Sequence, residues 1–252
     1  MNEQLTLRQL NRDAYLSNPA RKQQYVNAVF DTVARSYDRF TRLCSLGMDS
    51  GWKRELVHLL KDRLEPHHQI LDLASGTGDL AFALARWVRR GRVIGLDVSE
   101  PMVSLAEQKR QARHTCNIEF RVGDLMATSF ADNTLDAVTV SYGLRNSPDY
   151  RLALAEIHRV LKPGGYLASL DFVRPENPLW RFLFVKSLLA ACNFYGWLWH
   201  GEPGVYGYLA HSIAYHATNR EFCGALADAG FEVIVERPKL FGAVYLHLAR
   251  KP

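Results

Sequence analysis

Apolar residues near the start of the chain recur at helical spacing: Tyr25, Val29, Phe30, Val33 and Tyr37, with arginines scattered between them. That pattern predicts helix through residues 1–60. From Gln69 the pattern changes. Ile70-Leu71-Asp72-Leu73 is a short apolar run that stops at glycines, and helical periodicity resumes over 80–88. The alternation repeats, with 92–97 as strand and 101–113 as helix, Pro101 standing where a helix can start. Further strands are predicted at 118–122, 135–141, 165–172, 231–236 and 243–249, and further helices at 150–161 and 220–229. Strand and helix alternating in this way predict an α/β fold, a mostly parallel sheet with helices on both faces. Residues 175–216 are too many for a plain connection. They predict a helical cap inserted over the C-terminal edge of the sheet, where such folds bind ligands. The expected organisation is an N-terminal helical segment, 1–60, covering a domain that runs from 61 to 252.

Composition narrows the class. The chain has 252 residues, 48% hydrophobic and 23% charged, which suits one buried core and excludes extended disorder. A formal net charge of +5 suits an anionic partner or membrane surface, but neither an RNA-binding aromatic signature nor zinc-finger spacing accompanies it. No nucleic-acid partner is expected. Cys44, Cys116, Cys192 and Cys223 lie far apart, so neither a metal site nor a disulfide framework follows, and a reducing cytoplasm is the simplest setting. Residues 1–16 lack the apolar stretch of a secretory signal. The segment 179–199 is rich in Leu, Phe and Trp, but Arg181 and Lys186 interrupt it. A spanning helix needs about 20 nearly uncharged residues, so the segment reads as soluble or interfacial.

The chemistry begins where the first strand runs into Ala74-Ser75-Gly76-Thr77-Gly78-Asp79. Glycines at 76 and 78 let a ligand approach the backbone closely, and the next helix offers free N–H groups. Alone, such a turn could simply shape a loop. Asp97 ends the next strand, 19 residues past Gly78, where a carboxylate can accept both ribose hydroxyls of an adenosine. A nicotinamide fingerprint is formally met by Gly76, Gly78 and Ala81. Asp79, however, would repel a pyrophosphate and attract the amino group of a cationic ligand such as S-adenosylmethionine (SAM). Asp124 follows the third strand, placed either to accept from an adenine amine or to cap a turn.

At this point the sequence resembles the class I SAM-dependent methyltransferases, whose fold is Rossmann-like. A narrower resemblance rests on several further elements. They are Val29-Phe30-Asp31-Thr32-Val33-Ala34-Arg35-Ser36-Tyr37-Asp38, Ser45-Leu46-Gly47-Met48-Asp49 with Trp52-Lys53, Tyr142-Gly143-Leu144-Arg145-Asn146, Leu161-Lys162-Pro163-Gly164-Gly165 and Tyr208-Leu209-Ala210-His211-Ser212-Ile213. Together they look like the ubiquinone/menaquinone biosynthesis C-methyltransferases over residues 26–250. Departures are Arg39-Phe40-Thr41 where Met-Asn is usual after Tyr-Asp, Asp49 where a His is common, Ser75 where Gly is usual, and Asp171-Phe172-Val173 where Glu-Phe-Ser is usual. The resemblance implies SAM as co-substrate, held by Thr77, Asp97, Asp124, Leu125 and Ser141 beside Gly76, Gly78 and Asp79. It implies a polyprenylated hydroquinone as acceptor, methylated on a ring carbon, with demethylmenaquinol preferred to a benzoquinol because of those departures.

The expected step is in-line attack of an electron-rich ring carbon on the sulfonium methyl, which calls for orientation and for stabilising a developing phenolate, and for no metal. Arg145 is the candidate for that anion, or else a surface or capping arginine. Asn146 can hold a water or hydroxyl, or form a turn. Tyr142, His211 and His216 are candidates for moving the proton, and Tyr37 and Asp38 for closing the site. The apolar cap residues can hold a prenyl tail, touch a membrane from the cytoplasmic side, pack on the sheet or form a homodimer interface. Competing functions are methylation of another lipophilic aromatic acceptor, and an idle SAM-binding scaffold. The intact glycine turn, Asp97 and Arg145-Asn146 speak against the scaffold.

Overall fold

The structure, a computed structural model, describes residues 19–201 and 206–252. The helix and signal-peptide readings of residues 1–18 lie outside the described residues. Three helices open the described residues: α1 (Pro19–Val33), α2 (Tyr37–Cys44) and α3 (Met48–Lys61). The predicted helical stretch is therefore broken. Leu46 and Gly47 take left-handed backbone conformations between α2 and α3, which only glycine adopts without steric cost.

Strands β1 (Gln69–Leu73), β2 (Arg92–Asp97), β3 (Ile118–Val122), β4 (Leu135–Ser141), β5 (Leu161–Phe172), β6 (Glu232–Lys239) and β7 (Val244–Arg250) form one sheet in the order β3-β2-β1-β4-β5-β7-β6. The first five are parallel, and β7 runs antiparallel to both of its neighbours, β5 and β6. Helices α4 (Asp79–Ala85), α5 (Glu100–Ala112), α6 (Tyr150–Val160) and α9 (Asn219–Asp228) cover the faces, and α7 (Pro178–His200) with α8 (Gly207–Tyr215) forms the inserted cap.

Local chemistry explains the boundaries. Ser99 accepts from Met102 N at the start of α5, with Pro101 in the first turn. Asn177 does the same for α7, and Thr218 with Glu221 builds a reciprocal capping box on α9. β5 begins four residues earlier than predicted, because Leu161 still pairs with Leu135 before a register shift at the Gly164-Gly165 turn. β6 runs past Glu236 to Lys239 because it is an edge strand, where the missing N–H of Pro238 breaks no ladder.

The period of two along the strands divides the core. Ile70 and Val93 pack with Leu56, Leu60 and Leu84 on one face. Leu71 and Val138 pack with Leu154, Ile157 and Leu226 on the other. Asp72 sits inside this core, accepting from Thr139 Oγ1 at 2.7 Å. Burial pushes its pKa up to about 7. A carboxyl whose folded pKa lies above its unfolded value binds more protons when folded, so stability falls as pH rises from about 4 to 7. Asp72→Asn removes that slope. Its melting temperature is expected to gain on the wild type between pH 5 and pH 8, by the equivalent of about 2–3 kcal/mol, in thermal scans across pH.

Candidate active site: two cavities sharing one wall

The C-terminal ends of β1, β2 and β4 open on one cleft. After β1 the chain turns through Ala74, Gly76 and Gly78, all with positive φ. A Cβ on Gly76 would meet nothing within 4 Å, so the backbone there faces open space. A Cβ on Gly78 would stand 2.5 Å from the Phe120 ring. The first glycine keeps the backbone accessible, and the second lets β3 pack against the turn. Asp97 fixes this geometry by accepting from Gly76 N at 2.7 Å and Ser99 N at 2.9 Å. Burial raises its carboxyl pKa, and the backbone donors oppose that rise.

A cavity of about 870 Å³ lies over the turn. Gly76, Thr77, Asp79, Asp97, Asp124, Leu125 and Ser141, all candidates for holding the cofactor, line it; Gly78 does not. Some details differ from expectation. Asp124 Oδ1 already accepts from Met126 N at 2.8 Å, so its turn-capping and cavity-lining roles coexist. Asp79 is 3.8 Å from Lys53 Nζ and 3.6 Å from Lys109 Nζ, so two lysines already share its charge. Thr77 donates to Asp38 at 2.7 Å, and Lys109 Nζ bridges both at 2.7 Å. Ser99 donates to Asp31 at 2.6 Å. These bonds tie α1 and α2 to the rim, where Phe30, Gln23 and Val26 close the cavity.

A second cavity, about 1290 Å³, runs from the first toward the cap. Its lining is mostly apolar, with Val33, Phe40, Trp52, Phe184 and Leu188 among the residues. Phe30, Tyr37, Tyr142 and Asn146 wall both cavities. A methyl donor in the first would meet an apolar acceptor in the second across these four residues.

Arg145 lines the second cavity but is not a free cation. It is 3% exposed and donates to Asp171 Oδ1 at 2.6 Å and to Tyr142 O at 2.8 Å. Its guanidinium carbon lies 5.6 Å and 5.2 Å from the Tyr142 and Phe172 ring centroids. Asn146 donates to Tyr142 O at 2.9 Å, leaving its Oδ1 buried without a partner, as is Arg145 Nε. Tyr142 takes φ 59°, a conformation costly for a bulky residue and frequent at functional sites. His211 and His216 do not reach this wall. Both line a separate cavity behind the Leu144-Arg145 turn, beside Lys22 and Ser147, and burial drives the His216 pKa down to about 4. The two histidines expected as proton acceptors are therefore set aside.

Away from the cleft, α9, β6 and β7 bring Cys223, Glu236 and His247 together, which their spacing did not suggest. Hydrogen bonds through Asn219 link all three.

Residues 19–251 match the profile of the ubiE/COQ5 methyltransferase family. The chain belongs to that family. A demethylmenaquinone methyltransferase of Lactiplantibacillus plantarum is 37% identical over 90% of this chain and 95% of its own length. One of Thermus thermophilus is 36% identical over 89% of this chain and all of its own. Among solved structures, a SAM-dependent methyltransferase of Aquifex aeolicus superposes with a TM-score of 0.57 at 22% identity, covering 78% of this chain and 89% of that one. This family member is a SAM-dependent methyltransferase with the class I fold. Asp31, Asp38 and Asp171 are the polar residues of its site whose partners were not anticipated. Their partners lie 68, 39 and 26 positions away.

Proposed function

We propose that the protein transfers the methyl group of SAM to a ring carbon of demethylmenaquinol. The observation that carries this reading is the shared wall. A cavity lined by the glycine turn and the Asp97 carboxylate meets a second, more apolar cavity at Phe30, Tyr37, Tyr142 and Asn146. The relatives' names supply the acceptor, and the second cavity has the chemistry for a prenylated ring.

The first cavity fits SAM: Gly76 leaves open space at the turn, and Ser75 Oγ is buried without a partner beside it. Asp97 would hold the ribose hydroxyls, Asp124 with Leu125 the adenine, and Thr77 and Ser141 the remaining rim. SAM supplies an electrophilic methyl carbon on a cationic sulfur. The protein's task is to place the acceptor ring in line with it and exclude water, a gain of proximity and preorganised charge. Asn146 Oδ1, buried without a partner, would accept from a quinol hydroxyl. The Arg145–Asp171 pair lends a fixed dipole to the oxygen where negative charge develops. Residues from α1 to α3 act as the cover that completes both cavities.

The helix Pro178–Trp199 is long and apolar enough to cross a membrane by length and composition. It packs Phe184 and Cys192 inward and leaves Leu179, Phe182, Leu183, Phe194, Trp197 and Leu198 exposed. Leu46 and Met48, also exposed, border the apolar cavity. We assign this surface to shallow membrane contact, which would let a lipid-dissolved tail enter without crossing water. The protein is expected to float with phospholipid vesicles, and Phe194→Glu with Trp197→Glu to reduce the floated fraction at least fivefold. Equal flotation, or a dimer burying this face in sedimentation, would count against membrane contact.

Introducing the gene into a bacterium that accumulates demethylmenaquinone tests the acceptor. Menaquinone should reappear. An unchanged quinone pool, or methylation of a benzoquinol alone, would overturn the assignment.

A further inference from the structure

Away from both cavities, four side chains meet where α9 lies against the edge hairpin of the sheet. Asn219 and Cys223 stand four residues apart on α9, so they share one face of the helix. Glu236 of β6 and His247 of β7 are partners across the antiparallel ladder, which puts them side by side on one face of the sheet. The packing of α9 on that face brings the two pairs together.

The spacing is that of a metal-ligand set. Cys223 Sγ is 3.3 Å from Glu236 Oε2 and 3.9 Å from Asn219 Oδ1. His247 Nε2 is 2.8 Å from Asn219 Oδ1. One donor atom from each of Cys223, Glu236 and His247 lies within 4.8 Å of the other two. A tetrahedral zinc ion sits about 2.3 Å from sulfur and about 2.0–2.2 Å from nitrogen and oxygen, so its ligand atoms stand about 3.3–3.7 Å apart. Small side-chain rotations close the difference.

The surroundings also suit an ion. No lysine or arginine among the described residues forms an ion pair with Glu236, whose Oε2 accepts from Asn219 Nδ2 at 3.0 Å and from the Cys223 thiol. His247 is 3% exposed, and its ring is held by Phe222 and Tyr245, with centroids 4.9 Å and 5.7 Å away. Ser169 Oγ lies 3.5 Å from His247 Nδ1, where it can accept that proton and leave Nε2 as the ligand. Glu236 is exposed and Cys223 half-buried, so an ion can enter from solvent.

We propose that Cys223, Glu236 and His247 form a zinc site, with Asn219 Oδ1 completing the tetrahedron. The thiol proton leaves to solvent as the sulfur–zinc bond forms, and the ion replaces the hydrogen bond between His247 and Asn219. Thiolate and imidazole ligands select zinc over magnesium or calcium. None of the four residues lines the cofactor or acceptor cavity, so the ion takes no part in methyl transfer. It fastens the start of α9, which follows the cap directly, to β6 and β7.

The test titrates the full chain, stripped with a chelator, with zinc by calorimetry as wild type, Cys223→Ser and Glu236→Gln. Serine keeps a hydrogen-bond donor for Glu236 and removes the sulfur, which separates an ion site from a plain hydrogen-bond network. Wild type should bind one zinc per chain with a Kd on the order of 1 µM or tighter. Each variant should bind at least tenfold more weakly. Cobalt(II) added to wild type, a measurement that needs no variant to fold, should give a sulfur-to-cobalt charge-transfer band. At a hundredfold excess over Kd, zinc should raise the wild-type melting temperature by about 5 °C or more, and millimolar magnesium should not. Weaker zinc binding by wild type, a cobalt spectrum without the sulfur band, or zinc binding by Cys223→Ser within tenfold of wild type would overturn the site. A smaller thermal rise would overturn its role as a fastening.

Discussion

Asp97→Ala is expected to weaken SAM binding by at least a hundredfold while leaving the protein folded. The carboxylate holds Gly76 N and Ser99 N, so its removal frees the turn that shapes the cavity and deletes the acceptor we propose for the ribose. Burial already disfavours its charge, so the apo protein gives up little by losing it. Ligand stabilises a folded protein by RT ln(1 + [L]/Kd), about 2.7 kcal/mol at a hundredfold excess over Kd. Wild type should therefore melt several degrees higher with saturating SAM. The variant should keep a near wild-type apo transition and show no such rise at the same concentration. Calorimetric titration with SAM gives the affinity directly. A variant that binds within tenfold of wild type would show that the ribose is held elsewhere.

The second large effect concerns Asp171. Removing it strands the Arg145 guanidinium, which is buried among Tyr142 and Phe172. Breaking a buried ion pair from one side typically costs about 3–5 kcal/mol. For a domain of this size each kcal/mol moves the melting temperature by about 2–4 °C. Asp171→Ala should thus melt on the order of 10 °C lower and lose activity together with stability. Replacing both partners by apolar residues, Arg145→Met with Asp171→Leu, should return most of the stability, since no orphaned charge remains. Activity should stay lost. That separation distinguishes a catalytic dipole from a structural brace. A fully active double variant would assign the pair to folding alone, and a fall under about 3 °C for Asp171→Ala would deny that Arg145 depends on it.

The parallel sheet, the glycine turn and Asp97 were readable because each is encoded locally. Each short apolar run and the glycine turn or acid at its end lie within a few residues of one another. The cap over 175–216 was readable as an excess of length, and it forms α7 and α8 around the segment 202–205. What could not be read were pairings across the fold. Arg145 is charged and stands in a selective motif, so its chemistry suggested a free cation. Only the approach of β5 to the loop after β4 reveals Asp171 beside it. Asp38 and Asp31 sit on helices whose spacing shows an apolar face and says nothing of which polar group meets the rim. The histidines illustrate the converse. His211 and His216 have suitable chemistry, but the turn at Leu144 puts them in another cavity. Asp49 stood out only as a departure from the family pattern. Its burial and the lysine one helical turn away appear only in the fold.

Transfer of isotope-labelled methyl from SAM to demethylmenaquinol by the purified protein is the most direct test of its function. The expected result is one labelled methyl on the ring carbon per SAM consumed, no transfer to the hydroxyls, and loss of the reaction with Asp97→Ala. A wild-type protein that binds SAM yet leaves demethylmenaquinol unlabelled, or labels oxygen in place of carbon, would contradict it.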